Sequence, residues 1–195
     1  MNAKVHSALV AMVLASSVAL SAAGFTQSND GVQPPASDIC SLTEALSGRW
    51  SLNVKWEPDS ENPNGLVNSG EETWRSGPGG YTLIEEEQIR FPKQNADAYL
   101  LGIIWWDQTT KSLHGMECQN MLPFTCDLKG ALNDITMTWD GNQFVIDEIE
   151  NKTSLWHEVW SDIKPNSFTQ TGEYGPRGGA LKRLFTMQGK RIGAK

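Results

Sequence analysis

Basic side chains are scarce in this chain: 16 lysines and arginines stand against 23 aspartates and glutamates, and the net charge at pH 7 is −7. A surface of that sign repels phosphate, which excludes nucleic acid and anionic lipid surfaces as partners. Histidine and cysteine are also few, three of each, and they are too widely spaced for a zinc set. No nucleophile elbow, phosphate loop, zinc-protease helix or dinucleotide fingerprint occurs, so the motifs indicate no familiar enzyme class, metal or cofactor. After the first 20 residues no apolar run is long enough to cross a bilayer as a helix. No repeat of solenoid spacing is present.

What is present begins with a leader. Lys4 precedes an uncharged stretch from Ala8 to Leu20, and small residues Ser21-Ala22-Ala23 follow. This is the pattern of a signal peptide over residues 1–23, too short to serve as a membrane anchor. Its removal leaves 15 basic against 23 acidic side chains. The expected product is a periplasmic or secreted protein with no membrane insertion. Residues 24–40 are poor in large apolar side chains and read as a flexible linker. Export permits disulfides, and Cys118 with Cys126 is the expected pair, leaving Cys40 over; the other pairings stay open.

Residues 41–192 are expected to form one domain. Ser41 and Glu44 are spaced as a capping box, and Leu42 with Leu46 forms the apolar face of a short helix ending near Gly48. From there the period changes to two: Trp50, Leu52, Val54 and Trp56 alternate with Arg49, Ser51, Asn53 and Lys55. About ten such strands follow, separated by Gly-, Pro-, Asn- and Asp-rich turns. The stretch from Tyr99 to Asp107 is apolar on both faces and is expected to be the most enclosed. Connections this short exclude parallel crossovers. An antiparallel meander of that length tends to close into a barrel, and one with more than eight strands has room for a ligand.

Several pieces, taken in order, resemble a known group. They are Gly48-Arg49-Trp50 opening the first strand, Ser69-Gly70-Glu71-Glu72-Thr73-Trp74-Arg75, the Trp106-Asp107 pair before a Thr-Lys turn, and Trp156-His157-Glu158-Val159-Trp160. Together they resemble the bacterial lipocalin-like proteins grouped as a domain of unknown function within the calycin fold. The resemblance spans roughly Leu42 to Arg191 and implies a lipocalin-like barrel. It also implies a structural pair, in which Trp50 packs under a basic side chain from a late strand, with Arg183 the candidate. The eight-strand count and further motifs of the ligand-carrying lipocalins are absent, so the resemblance bears on fold more than on function.

Candidate ligand-binding residues are His157, Trp56, Tyr81, Glu85 and Trp139. His157 is in phase with Leu155 and Val159, and reads as a haem ligand, a general base, or a barrel-end histidine bonded to a neighbour. Glu85 and Glu87 share a face with Tyr81 and Leu83. Facing a cavity, they would bind a cation or raise each other's pKa; a solvated face is the simpler reading. Of the neighbours Trp105 and Trp106, one points in and one out. The expected function is a barrel holding a small, partly apolar molecule. Its alternatives are a low-specificity enzyme using the same cavity, and a non-catalytic envelope scaffold with a filled barrel.

Overall fold

Alternation with a period of two needs a sheet with one dry face, and here the sheet supplies it by closing on itself. A computed structural model of the protein describes residues 33–120, 135–150 and 152–193. After helix α1 (Ser37–Leu46) come ten strands: β1 (Gly48–Trp56), β2 (Leu66–Ser76), β3 (Thr82–Phe91), β4 (Ala96–Asp107), β5 (Ser112–Gln119), β6 (Ile135–Trp139), β7 (Phe144–Glu150), β8 (Ser154–Lys164), β9 (Ser167–Pro176) and β10 (Lys182–Ile192). Each pairs antiparallel with the next, and β10 pairs back onto β1, so the meander is a closed barrel. Between β5 and β6, Leu113 opposite Met137 is the only registered pair among the described residues.

The helix begins four residues before the expected Ser41. Ile39 adds a turn to its apolar face, and Ile39, Leu42 and Leu46 are all fully buried. The capping box is not made: Ser41 lies inside the helix, where its hydroxyl donates to the Asp38 carbonyl at 3.2 Å. α1 packs against β2, β3, β4 and β8 and closes the end of the barrel at which β1 starts. Two indoles tie it there, Trp50 Nε1 donating to the Leu46 carbonyl and Trp139 Nε1 to Ser41 Oγ, both at 2.8 Å. Leu83, Ile104, Leu113, Phe144 and Phe168 complete the same apolar core. Burying each such side chain contributes roughly 1.5–3 kcal/mol.

The basic partner of Trp50 is Arg191, a correction to the expected Arg183. The Arg191 guanidinium sits 3.9 Å from the centre of the Trp50 ring. It donates to the carbonyls of Ser47, Pro165 and Ala45, strapping the helix end to the barrel. A side chain at residue 48 would occupy the guanidinium's place, and Gly48 also holds φ at +136°, which explains the glycine of Gly-x-Trp. Arg183 is displaced by an irregularity in β10 between Arg183 and Phe185. Without that bulge Arg183 would share the inner face with Phe185, Met187 and Arg191; with it, Arg183 turns outward and pairs with Glu173 at 2.9 Å.

β4 is also corrected. Its inner residues Ala98 and Ile104 are buried, but on its outer face Tyr99 is 52% and Leu101 38% exposed. Nothing in the described barrel covers that face, so apolar character on both sides did not mean enclosure. Trp106 packs toward the core, and Trp105 points out and stacks on His114. Cys40 carries an exposed free thiol. Cys118 is not free, and Cys126, its expected partner, lies outside the described residues. No helix among the described residues is long and apolar enough to cross a membrane.

Candidate functional site

Away from the α1 end, the lumen opens into a cavity of about 510 Å³. One wall is apolar: Trp56 from β1, Trp156 from β8, Tyr174 from β9, and Leu184, Phe185 and Met187 from β10. The rings are in mutual contact, Trp56 with Phe185 at 5.3 Å and Trp156 with Tyr174 and Phe185 at 6.3 Å between centroids. The other wall is acidic. Glu85 and Glu87 from β3, Glu117 from β5, Glu148 from β7 and Glu158 from β8 all line the cavity, and among the described residues no Lys, Arg or His does.

Strand pairing brings these carboxyls together. Glu72 lies opposite Glu87 in the β2–β3 register, and Trp74 opposite Glu85. Glu85 in turn faces Gly102 on β4, and a Cβ at Gly102 would stand 2.7 Å from Glu85 Oε2. The missing side chain is therefore the space in which that carboxyl lies. Oxygens of Glu72, Glu85 and Glu87 all fall within 4.8 Å of one another. Glu72 and Glu85 are only 1% and 7% exposed. Neither Glu72 oxygen completes a hydrogen bond, and Trp74 and Glu85 are its polar neighbours.

Burial without a counter-charge raises carboxyl pKa values. Burial pushes Glu72 up to about 7, against the smaller lowering effect of Glu85 and the Trp74 indole. Glu85 and Glu87 are held well above the ordinary carboxylate range, first by burial and then by the charge of Glu72. Glu117 is exposed to solvent at the cavity mouth, and its pKa is raised by the protein packed around it and by the facing Glu158 and Glu148. Glu158 is pushed up to about 7 by burial, although Trp156 Nε1 at 2.8 Å and Gln170 Nε2 at 3.1 Å donate to it. These carboxyls therefore keep their protons to higher pH than solvent-exposed ones do.

Of the five candidate ligand-binding residues, the structure brings Trp56 and Glu85 to the cavity. His157 lies on the outer surface, its Nδ1 2.6 Å from Asp147 Oδ1. There it sits in a cross-strand row of polar side chains, Asp147, His157, Glu173 and Arg183. The phase with Leu155 and Val159 is as expected, but that face is the outer one, because Trp156, Glu158 and Trp160 take the lumen. Tyr81 is in the turn before β3 and 40% exposed. Trp139 holds α1 at the closed end. The simpler expectation for Glu85 and Glu87, a solvated face, is corrected: both face the lumen. Glu117 and Gln170 escaped notice in the sequence. The signal for Glu117 was its phase with Leu113 and Gly115, two residues that had to point inward.

Fold and cavity together define a closed, ten-stranded antiparallel β-barrel with a cavity in its lumen. No family model matches the sequence, and no curated relative matches it either. Among solved structures it is similar to Rv2717c from M. tuberculosis, with a TM-score of 0.53 and 11% identity over 81% of this chain and 99% of that one. Weaker likenesses are to the S-type phycobiliprotein lyase CPES of Guillardia theta (TM-score 0.47, 10% identity, 83% of this chain and 100% of that one). A protein of unknown function of the DUF3598 family from Nostoc punctiforme gives 0.43 and 10%, over 76% of this chain and 48% of that one. Identities this low bear on the fold alone.

Proposed function

We propose that this protein is an exported binding barrel that holds a small, partly apolar molecule in its lumen. The observation that carries the proposal is the 510 Å³ cavity walled on one side by Trp56, Trp156, Tyr174 and Phe185. Its size is that of small-molecule sites, and its aromatic wall offers area without internal freedom to lose. The leader supports delivery to the periplasm or the exterior, where a Cys118–Cys126 bridge would brace the β5–β6 connection. The ordered motifs from Gly48 to Trp160 support membership of the bacterial lipocalin-like group of unknown function.

The test uses the neutral fluorophore N-phenyl-1-naphthylamine and energy transfer from tryptophan. The wild-type protein is expected to bind it saturably. Leu100→Trp, which fills the cavity from β4, is expected to weaken binding by about tenfold or more while the far-ultraviolet spectrum is retained. Absence of saturable binding to the wild type, or binding unchanged in the filled variant, overturns the proposal.

A further inference from the structure

We infer that the lumen selects an organic cation: a protonated amine carried on an apolar, preferably aromatic, body. This inference rests on the binding-barrel reading above and names the chemistry of its ligand. Glu85, Glu87, Glu117 and Glu158 line the cavity, and among the described residues no basic side chain does. Glu85 is buried and Glu87 and Glu158 are half-buried, and carboxyls drawn out of water are ordinarily paired, because an unpaired charge there is costly. An ammonium group placed between β3 and β8 would supply the missing charge.

A second observation, independent of the carboxyls, points the same way. Gln170 is 4% exposed and lines the cavity. Its amide nitrogen is committed to Glu158, which fixes the flip and leaves Oε1 as an acceptor; that oxygen is buried and has no partner. A buried amide oxygen without a donor loses about 1–3 kcal/mol of hydration, and an N–H from the ligand restores the bond. Beside it the faces of Trp56, Trp156 and Phe185 offer the aromatic surroundings that favour a cation and its hydrocarbon body. A divalent metal fits less well. Of the three clustered glutamates, Glu72 lies behind the cavity wall, and the strand carbonyls that would complete a shell of six or more oxygens are engaged in the barrel ladder.

The ionisable groups facing the site are Glu85 and Glu87 from β3, Glu117 from β5, Glu148 from β7, Glu158 from β8 and Tyr174 from β9, with Glu72 of β2 behind them. Strands β1, β4 and β10 contribute none. Protonation of these carboxyls removes the attraction, so amine binding expels protons and strengthens as pH rises through neutrality.

Three probes with one ring system isolate the charge: 1-naphthylmethylamine, 1-naphthalenemethanol and 1-naphthaleneacetate, titrated by tryptophan quenching. At about pH 8 the amine is expected to bind at least tenfold more tightly than the alcohol, with the acetate weakest, and at about pH 5.5 the preference is expected to fall at least threefold. In Glu87→Gln/Glu158→Gln the preference is expected to shrink while the alcohol's affinity holds; the pH dependence of the wild type gives the same information if that variant fails to fold. Equal binding of amine and alcohol overturns the cation inference and leaves the binding-barrel reading standing. Failure of all three probes together with N-phenyl-1-naphthylamine overturns both. Calcium chloride alone, binding more tightly than the amine and displacing it, also overturns the inference in favour of a metal site.

Discussion

Glu72 is the side chain whose environment departs most from what a glutamate ordinarily finds: fully enclosed, without a completed hydrogen bond, beside two other carboxyls. Its pKa is raised in the folded state and is ordinary in the unfolded one. The folded protein therefore holds a proton that the unfolded chain has already released between about pH 4.5 and 7, and stability falls as pH rises through that window. The shift corresponds to on the order of 3 kcal/mol. Glu72→Gln keeps the shape of the protonated form without the ionisation. It is expected to leave stability at low pH nearly unchanged, to raise it by a few kcal/mol at about pH 8, and to flatten the profile. Urea unfolding at a series of pH values measures this; a profile for Glu72→Gln as steep as that of the wild type contradicts the assigned shift. Alternation in β3 placed Glu85 and Glu87 together from the residues alone, yet it was silent on which side of the sheet would be dry. Charge suggested water, and burial in the closed barrel decided otherwise.

At the scale of elements, the informative contact is the strap from β10 to α1. Arg191 stacks on Trp50 and donates to three carbonyls, two of them at the helix end. Arg191→Ala removes a cation–π contact and several charge-assisted bonds and is expected to cost about 2–4 kcal/mol. Arg183→Ala removes an exposed ion pair and is expected to cost under about 0.5 kcal/mol. Thermal unfolding of the two variants side by side checks the order, and equal losses would refute the assignment. The short helix, the strand set and Trp50 as a barrel-end residue were all legible in the periods of the chain and in Gly-x-Trp. The arginine was not. A one-residue irregularity in β10 reverses the face of everything before it, and such a bulge leaves little trace in composition. The same limit applies to His157, whose phase was clear and whose side was not.

At the scale of the molecule, closure among the described residues is uneven. Most neighbouring strands share seven or more registered pairs, whereas β5 and β6 share one among the described residues. Fewer ladder bonds mean a smaller cost of local opening, so amides of Ile135–Trp139 are expected to exchange with deuterium roughly tenfold or more faster than those of Leu83–Ile89. Exchange mass spectrometry on the intact protein tests this, and equal protection in the two segments would show that the seam is as firm as the rest. Since Glu117 and Gln119 line the cavity from β5, the same seam borders the proposed site.

The order of polar and apolar residues was enough, by itself, to specify an all-β meander behind a short helix. Side chains alternate across any strand, and turns this short permit only antiparallel neighbours. Which face became the interior, which arginine met Trp50, and that five glutamates would share one cavity were decided only when β10 closed onto β1. Inside and outside are properties of the closed surface, set by long-range pairing and by one bulge, and no local stretch of chain contains them.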